Sequence, residues 1–259
     1  MPSGPVPPGR SAGEHLASVA ADVARLAAAL VRESAGRART AGTKSSPTDV
    51  VTETDFASED LIRRELRARC PGSSISGEER ENDDGSNDVT WIVDPIDGTV
   101  NFLYHLPVVS VSIAASIGSV VVAGAVVDVV HGETFSAAVG CGARLDGQPI
   151  AVNDDVALGN ALIGTGFSYD AGRRGEQSAI LNRLLPRSRD IRCMGSAALN
   201  LCWVGAGRLD AYYEHDTKPY DYAAGAVIAR EAGAVVESPS LNGLDLSIAA
   251  PTTIFDELR

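Results

Sequence analysis

The apolar positions near the start of the chain recur at helical intervals. The residues concerned, spaced three or four apart, are Leu16, Val19, Val23, Leu26 and Leu30. This spacing is typical of one face of an amphipathic helix, and it predicts a helix over 16–30 that packs against a partner surface. A second helix is predicted over 56–69, since Pro71 and Gly72 end the pattern there.

The middle of the chain has the periodicity of strands. An acidic loop at 78–88 precedes a short apolar strand at 90–93, which leads into the segment Asp94-Pro95-Ile96-Asp97-Gly98-Thr99. Apolar and serine residues then alternate over 109–117, a period of two that predicts another strand. The pair Gly118-Ser119 indicates a hairpin turn into an apolar strand that reaches Val130. Further short strands are predicted as far as Leu145.

Strands and helices alternate in the rest of the chain. The predicted strands lie near 161–164, 190–193 and 209–214, and the predicted helices span 177–185, 196–204 and 219–232. This alternation predicts helices packed against a sheet. We therefore expect a Pro- and Gly-rich disordered lead at 1–12, an N-terminal α+β subdomain at 13–150 and a C-terminal α/β subdomain at 151–259.

Composition narrows the class of protein. The 259 residues are 44% hydrophobic and 22% charged, as in an ordinary globular protein. The longest apolar run, 120–127, is far shorter than the roughly 18 to 20 residues that cross a bilayer, so no membrane span is expected. The start of the chain has no signal-peptide core, which predicts a cytoplasmic protein. The four cysteines form no CxxC pair, which argues against a zinc site and a disulfide framework.

The charge of the chain disfavours nucleic acid as a partner. The formal net charge is −12 and the pI is about 4.7, without a dense cluster of Lys and Arg. An acidic protein still binds a small anion if its carboxylates hold divalent cations, because the metal reverses the local sign of the field. The placement of the carboxylates therefore matters more than their number.

The segment around Asp94 and Asp97 is the main candidate for such a site. A buried strand that opens into two carboxylates, with Pro95 and Gly98 shaping the turn, can direct both at one cation. Two carboxylate clusters can hold a pair of magnesium ions about 3.5–4 Å apart. The alternative is an Asp-rich turn between strands with no ligand.

Three further acidic segments could converge on this turn, and each has a purely structural alternative. The pair Glu78-Glu79 could be a solvated charge pair. Asp55 stands where the second helix should begin and could be its N-cap. Asp221 lies in the first turn of the helix that Pro219 opens, where a carboxylate complements the helix dipole.

Five motifs occur in an order that resembles a known family. They are Lys44-Ser45-Ser46-Pro47-Thr48-Asp49 through Thr54-Asp55, Gly77-Glu78-Glu79, Asp94-Pro95-Ile96-Asp97-Gly98-Thr99, Gly195-Ser196-Ala197-Ala198, and Tyr220-Asp221-Tyr222-Ala223-Ala224-Gly225. Together they cover about 14–250 and closely resemble the inositol monophosphatase family. The resemblance implies a five-layer αβαβα sandwich of mixed α+β and α/β type, usually a homodimer, with two to three Mg²⁺ ions between its layers.

The resemblance also implies roles for particular residues. The implied metal ligands are Glu78, Asp94, the carbonyl of Ile96, Asp97 and Asp221. The implied catalytic residues are Asp55 and Thr99, which polarise the attacking water, and Glu78. The implied substrate-binding residues are Ile96, Asp97, Gly98, Thr99, Gly195, Ser196, Ala197, Glu214 and Asp221, with the backbone of Gly98 and Thr99 on the phosphate. One departure is Tyr220, which stands where the family usually has Trp.

The expected reaction is magnesium-dependent hydrolysis of a small phosphorylated polyol. Val100-Asn101-Phe102 is similar to the inositol-type enzymes, which favours myo-inositol 1-phosphate and implies inhibition by lithium. Histidinol phosphate, a nucleotide 3′-phosphate and fructose 1,6-bisphosphate are alternative substrates. A haloacid dehalogenase-like phosphatase would need its two acids one residue closer together than Asp94 and Asp97. An alternative of another class is a metal-binding interaction protein without catalysis.

Overall fold

A computed structural model describes residues 10–37, 39–44, 46–238 and 245–259. Most of the predicted disordered lead, 1–9, lies outside the described residues, and the first helix begins at Arg10. The helices are α1 Arg10–Ser34, α2 Glu53–Arg69, α3 Thr99–Leu103, α4 Ala171–Leu184, α5 Ala197–Gly205, α6 Pro219–Glu231 and α7 Phe255–Leu258.

The strands belong to two large sheets and one small hairpin. The hairpin pairs β1 Thr40–Thr43 with β2 Val50–Thr52. The seven-stranded sheet contains, in spatial order, β3 Ser74–Gly77, β4 Val89–Asp97, β5 Ser110–Ile117, β6 Val120–Asp128, β7 Thr134–Ala138, β8 Ala143–Leu145 and β9 Gln148–Pro149. Its strands are antiparallel except for the parallel pair β3 and β4.

The second sheet has five strands and a mixed topology. Its strands are β10 Leu162–Thr165, β11 Asp190–Cys193, β12 Ala211–His215, β13 Val235–Glu237 and β14 Leu246–Ala250, in the spatial order β11-β10-β12-β14-β13. The strands β10, β11 and β12 run parallel, whereas β14 is antiparallel to both of its neighbours.

Helices and sheets stack in five layers, which confirms the predicted αβαβα sandwich. Helices α1 and α2 cover one face of the seven-stranded sheet. Helices α5 and α6 fill the space between the two sheets. Helix α4 and the C-terminal helix α7 cover the outer face of the five-stranded sheet. The expected division near residue 150 stays a prediction, because α5 and α6 pack against both sheets.

The buried face of α1 differs from the predicted stripe at one position. Leu16, Val19 and Val23 are buried as expected, but Leu26 is 44% exposed. Ala24 and Ala27 are fully buried beside it. Small side chains let the helix approach the sheet closely, so alanines rather than Leu26 make the contact.

Close contact in the middle layer places the start of α6 near the end of β4. A Cβ atom at Gly124 of β6 would lie 2.8 Å from Ala224 Cα of α6, and a Cβ at Gly225 would lie 2.7 Å from Leu201 Cβ of α5. Only glycine fits at such distances. These two glycines therefore fix how deeply α6, which carries Asp221, enters the space between the sheets.

Candidate active site

An irregularity at the end of β4 brings Asp94 and Asp97 to one side of the sheet. Residues three apart on a regular strand point to opposite faces. Here Asp94 pairs with Ser112 and Asp97 pairs with Ser110, so two residue steps on β5 face three on β4. This is the geometry of a β-bulge, and Pro95, which has no N–H to donate, lies inside it. Both carboxylates thus share a face and are buried.

Hydrogen bonds to Asp97 connect this bulge with the start of α5. Its Oδ2 accepts hydrogen bonds from Ser196 Oγ at 2.5 Å, the Ala198 N–H at 2.9 Å and Ser110 Oγ at 3.2 Å. Ser196 is also the N-cap of α5. Burial raises the pKa of Asp97, and these hydrogen bonds oppose that rise.

Thr99 and Asp55 form a second buried pair next to the bulge. Gly98 adopts a left-handed conformation with φ of 96° and turns the chain into α3, which begins at Thr99. Thr99 Oγ1 lies 3.0 Å from Asp55 Oδ1 and 3.0 Å from the carbonyl oxygen of Ile96, so its single proton can be donated to either. Burial raises the pKa of Asp55, against the hydrogen bonds from Thr52 and Thr99.

Asp55 is not the N-cap of α2, as the structural alternative expected, but it does help to cap that helix. Thr52 is the N-cap of α2, and Asp55 is the third helical residue, whose Oδ2 accepts from Thr52 N at 2.9 Å and Thr52 Oγ1 at 2.5 Å in a capping box. One carboxylate oxygen therefore serves the helix end while the other contacts Thr99. The structural and the functional interpretation of Asp55 are compatible.

Glu78, Asp94 and Asp221 bring a loop, a strand and a helix to the same place. Burial raises the pKa of Asp94 well above its usual value, and the nearby carboxylates of Glu78, Asp97 and Asp221 add to that rise. Burial also raises the pKa of Asp221, although its Oδ2 accepts the Lys218 N–H at 2.6 Å at the start of α6. Four acidic groups from three segments therefore repel one another.

Lys44, after β1, supplies a positive charge to this cluster. Its Nζ lies 2.6 Å from Glu78 Oε1 and 2.5 Å from Glu79 Oε1. Although burial opposes the charged form, the two carboxylates raise the pKa of Lys44. Burial raises the pKa of Glu79 to about 7 against the Lys44 hydrogen bond. Lys44 belongs to the first sequence motif, but its contact with Glu78 was not foreseen.

Within the described ranges, no three His, Cys, Asp or Glu side chains are arranged closely enough to form a ready metal site. Three of the predicted ligands instead contact groups of the protein itself: Glu78 binds Lys44, Asp97 binds α5 and Asp221 binds the backbone of Lys218. The donor set nevertheless suits magnesium. It offers hard carboxylate oxygens, and their mutual repulsion is relieved by a cation.

Glu214 occupies a separate, half-buried position on β12. Tyr212 Oη donates a hydrogen bond to Glu214 Oε2 at 2.9 Å. Burial raises the pKa of Glu214 to about 7, the Tyr212 hydrogen bond opposes the rise and Asp97 adds to it. The negative charge of Glu214 in turn contributes to the raised pKa of Asp221, which indicates that the predicted substrate contact lies close to the carboxylate cluster.

Asn101 joins the predicted phosphate-binding turn to the predicted substrate loop. Its Nδ2 donates to the carbonyl oxygens of Val108 at 2.8 Å and Met194 at 2.7 Å. Gly195 follows with φ of +79°, and a Cβ atom there would lie 2.8 Å from Asn101 Nδ2. The start of α3 and the segment 194–198 are thus held together, with Gly195, Ser196 and Ala197 beside Asp97.

Glu59 is a site residue that sequence reasoning missed. It is fully buried, and its carboxylate accepts from the backbone N–H of Glu79 at 2.7 Å and of Arg80 at 3.2 Å. Arg63 Nε donates to the same carboxylate at 2.8 Å. The sequence did contain one indication of its role. Glu59 follows Asp55 by one turn of α2, so both carboxylates lie on one side of the helix.

Two tyrosines also face the acidic cluster. Burial and the carboxylates of Glu78, Asp221 and Asp94 raise the pKa of Tyr220, the residue before Asp221. Tyr169, half-exposed before α4, has its pKa raised to about 12 by burial and by several carboxylates, Asp97 and Glu78 among them. Tyr169 was not predicted, since no motif marks it.

Known proteins resemble this chain in both sequence and fold. A model of the inositol monophosphatase family matches residues 13–254. An inositol-1-monophosphatase of Mycobacterium leprae is 46% identical over 95% of this chain and 92% of its own length. A structure of Mycobacterium tuberculosis SuhB superposes with a TM-score of 0.83 at 44% identity, covering 95% of this chain and 94% of that one. A Pasteurella multocida protein named Nus factor SuhB is 40% identical over 75% of this chain and 73% of its own length.

Proposed function

The chain belongs to the inositol monophosphatase family and is a phosphoric monoester hydrolase, and from that premise we propose that it hydrolyses myo-inositol 1-phosphate to myo-inositol and phosphate with magnesium as its cofactor. The observation that carries the proposal is the Thr99 hydroxyl, which lies 3.0 Å from Asp55 and 3.0 Å from the Ile96 carbonyl at the edge of the buried carboxylates. This arrangement suits the activation of water rather than the formation of a covalent intermediate.

The residues that would hold the cofactor come from three segments. They are Glu78, Asp94, the carbonyl of Ile96, Asp97 and Asp221. When bound, magnesium ions neutralise the phosphoryl oxygens, acidify water and stabilise the leaving alkoxide. Lys44 is bound to Glu78 and Glu79, so we expect it to move aside or to share Glu78 when the cofactor binds.

Asp55 and Thr99 orient the attacking water. Asp55 accepts the hydrogen bond of the Thr99 hydroxyl, which leaves an oxygen lone pair of Thr99 free to accept a proton of the water. The water then directs its own lone pair at phosphorus. Asp55 is fully buried and its pKa is raised, so it is suited to take the Thr99 hydroxyl proton as the Thr99 oxygen accepts the proton that the water loses. The backbone N–H groups of Gly98 and Thr99 bind the phosphate.

Glu214 selects the alcohol part of the substrate. A carboxylate accepts hydrogen bonds from polyol hydroxyls more strongly than a neutral acceptor does. The family resemblance assigns Gly195, Ser196 and Ala197 to the same part of the site, where Ser196 and Ala197 donate hydrogen bonds to Asp97. Histidinol phosphate, a nucleotide 3′-phosphate and fructose 1,6-bisphosphate remain alternative substrates for the same metal chemistry. The chain is expected to be a cytoplasmic homodimer. Among the described residues, no helix has both the length and the apolar character needed to span a membrane.

A non-catalytic role is the second candidate, because a relative carries the name Nus factor SuhB. A protein that has lost turnover would be expected to lose its water-activating pair first. Asp55 and Thr99 are both present and hydrogen-bonded to each other, which favours the enzyme.

Phosphate release tests the proposal directly. Turnover of myo-inositol 1-phosphate is expected with Mg²⁺ and not after chelation, at a higher kcat/KM than for histidinol phosphate or adenosine 3′-phosphate. Lithium should inhibit at concentrations where sodium does not, because a small hard cation fits an oxygen-lined magnesium position with half the charge. Preference for either alternative substrate would overturn the inositol assignment, and absence of turnover on all three would favour the non-catalytic role.

The substrate role of Glu214 has its own test. Glu214→Gln should lower kcat/KM for myo-inositol 1-phosphate by about ten- to a hundredfold, which is about 1.4–2.7 kcal/mol. An aryl phosphate has no hydroxyls to recognise and should lose far less. Equal losses on both substrates would make Glu214 a structural residue.

A further inference from the structure

Tyr212 and Glu214 lie two residues apart on β12 and therefore share a face of the five-stranded sheet. Tyr212 is fully buried in the apolar cluster of the middle layer. Its hydroxyl, at 2.9 Å from Glu214 Oε2, engages one oxygen of the carboxylate. Tyr213, between them in sequence, points the other way and packs in the cluster under α4 and α7.

Gly166 provides the surface on which the Glu214 carboxylate rests. It follows β10, the parallel neighbour of β12. A Cβ atom at Gly166 would lie 2.2 Å from the carboxyl carbon and from both oxygens of Glu214. Real Cβ atoms do not approach so closely, so any side chain at this position would displace the carboxylate. The hydroxyl of Tyr212 and the bare backbone of Gly166 together define one position for Glu214.

The charged groups around Glu214 act against its ionised form. Asp97 raises its pKa, and Glu214 in turn raises those of Asp221, the Cys193 thiol and the Tyr212 phenol. The negative charge of Asp97 therefore adds to the effect of burial on Glu214. The Tyr212 hydroxyl donates the hydrogen bond that favours the carboxylate.

We propose that Tyr212 is a positioning residue for substrate selection: its hydroxyl holds one oxygen of the Glu214 carboxylate, which lies over Gly166, so that the other oxygen faces the substrate and accepts hydrogen bonds from polyol hydroxyls. This inference rests on the proposed function, since it assigns Tyr212 a role through Glu214. Tyr212 does not touch the substrate. Its effect is on which phosphate esters are preferred and on the pH range over which they are preferred.

The test compares two substrates across pH. The ratio of kcat/KM for myo-inositol 1-phosphate to that for para-nitrophenyl phosphate is measured at equal, saturating Mg²⁺. In the wild type this ratio should rise with pH as Glu214 ionises, since burial raises the pKa of Glu214. In Tyr212→Phe the rise should move to higher pH by about 0.5–1 unit, and the ratio at the wild-type midpoint should fall about two- to fivefold. The ratio should recover at alkaline pH.

The matched control is Tyr213→Phe, which removes the same atom from the neighbouring residue on the opposite face. It should keep the wild-type ratio and midpoint. A wild-type profile in Tyr212→Phe would overturn the inference, as would an equal shift in Tyr213→Phe. Should Tyr212→Phe not fold, Gly166→Ala serves instead: it should lower the ratio at every pH, and an unchanged ratio would overturn the inference.

Glu214→Gln separates this inference from the proposed function. If Glu214→Gln leaves the substrate ratio unchanged, the polyol-binding role of Glu214 fails and the role of Tyr212 fails with it. If Glu214→Gln lowers the ratio and removes its pH dependence while Tyr212→Phe matches the wild type, the proposed function stands and only the Tyr212 inference falls.

Discussion

Asp94 is the buried carboxylate on which three other acidic groups of the site act. It is 2% exposed, and Glu78, Asp97 and Asp221 all act on its pKa. We expect Asp94→Asn to abolish measurable phosphate release, because the loss of this charge weakens cation binding and leaves the phosphoryl charge unbalanced. The measurement is turnover of myo-inositol 1-phosphate at saturating Mg²⁺, with circular dichroism to verify the fold.

Asp88→Asn is the matched control for this substitution. Asp88 is exposed and lies immediately before β4, the strand that carries Asp94. It should retain wild-type turnover. Near-normal activity of Asp94→Asn would remove Asp94 from the mechanism.

Single residues were predictable from sequence where a motif marked them. Asp55, Asp94 and Thr99 were named in advance, and the structure places Thr99 against Asp55. Glu59 was not named, because a glutamate in the middle of an amphipathic helix resembles a solvent-facing residue until the tertiary fold covers it. The bulge that turns Asp94 and Asp97 to the same face was equally hidden, since it depends on the register with β5.

Helix α2 connects two parts of the site through one turn of its length. Asp55 contacts Thr99, and Glu59 accepts the backbone N–H groups of Glu79 and Arg80. A Cβ atom at Gly77 would lie 2.1 Å from Glu59 Oε1, which shows how tightly the loop before Glu78 packs on this helix. The position of Glu78 is therefore set by α2.

Glu59→Gln should destabilise the protein and impair the site together. The amide lacks the charge that balances Arg63 and presents an NH₂ group to backbone donors, so we expect a loss of about 2–4 kcal/mol in the free energy of unfolding. Turnover should fall and recover in part at higher Mg²⁺, since Glu78 is displaced rather than removed. Urea denaturation and magnesium titration of activity are the measurements.

Glu65→Gln is the control from the same helix. Glu65 pairs with Arg64 and Arg69 near the surface, and such pairs contribute about 0–1 kcal/mol. If the two variants have the same free energy of unfolding, Glu59 does not hold the Glu78 loop.

Long elements were predicted better than short ones. The strand Ser110–Ile117 and the start of α6 at Pro219 agree with prediction, because the first has a clear period of two and the second a helix-opening proline. The hairpin β1–β2, the strand β3 and the helix α3 were not predicted. Each has five residues or fewer, too few to establish a period, and each depends on neighbours for its hydrogen bonds.

The order of layers and strands belongs to the whole molecule. Alternating strands and helices predicted helices against a sheet, but the five-layer stack came from the family resemblance. No local pattern fixes the order β11-β10-β12-β14-β13, which depends on contacts between residues far apart in sequence. The same order brings β12, with Glu214, to the centre of its sheet.

The molecule as a whole confines four mutually repelling carboxylates between its sheets, so magnesium should stabilise the entire fold. A ligand that binds only the folded state at a hundred times its Kd adds about 2.7 kcal/mol, or about 5–10 °C in Tm for a chain of this size. Asp94→Asn should gain much less from Mg²⁺. Without divalent metal, however, it should unfold at the same temperature as the wild type or higher, because it removes one charge from the repelling cluster. Thermal scans with Mg²⁺ and with chelator test both statements, and Asp88→Asn should follow the wild type in each. An equal gain in Tm for Asp94→Asn and the wild type would place the bound metal away from Asp94, even if the variant were inactive.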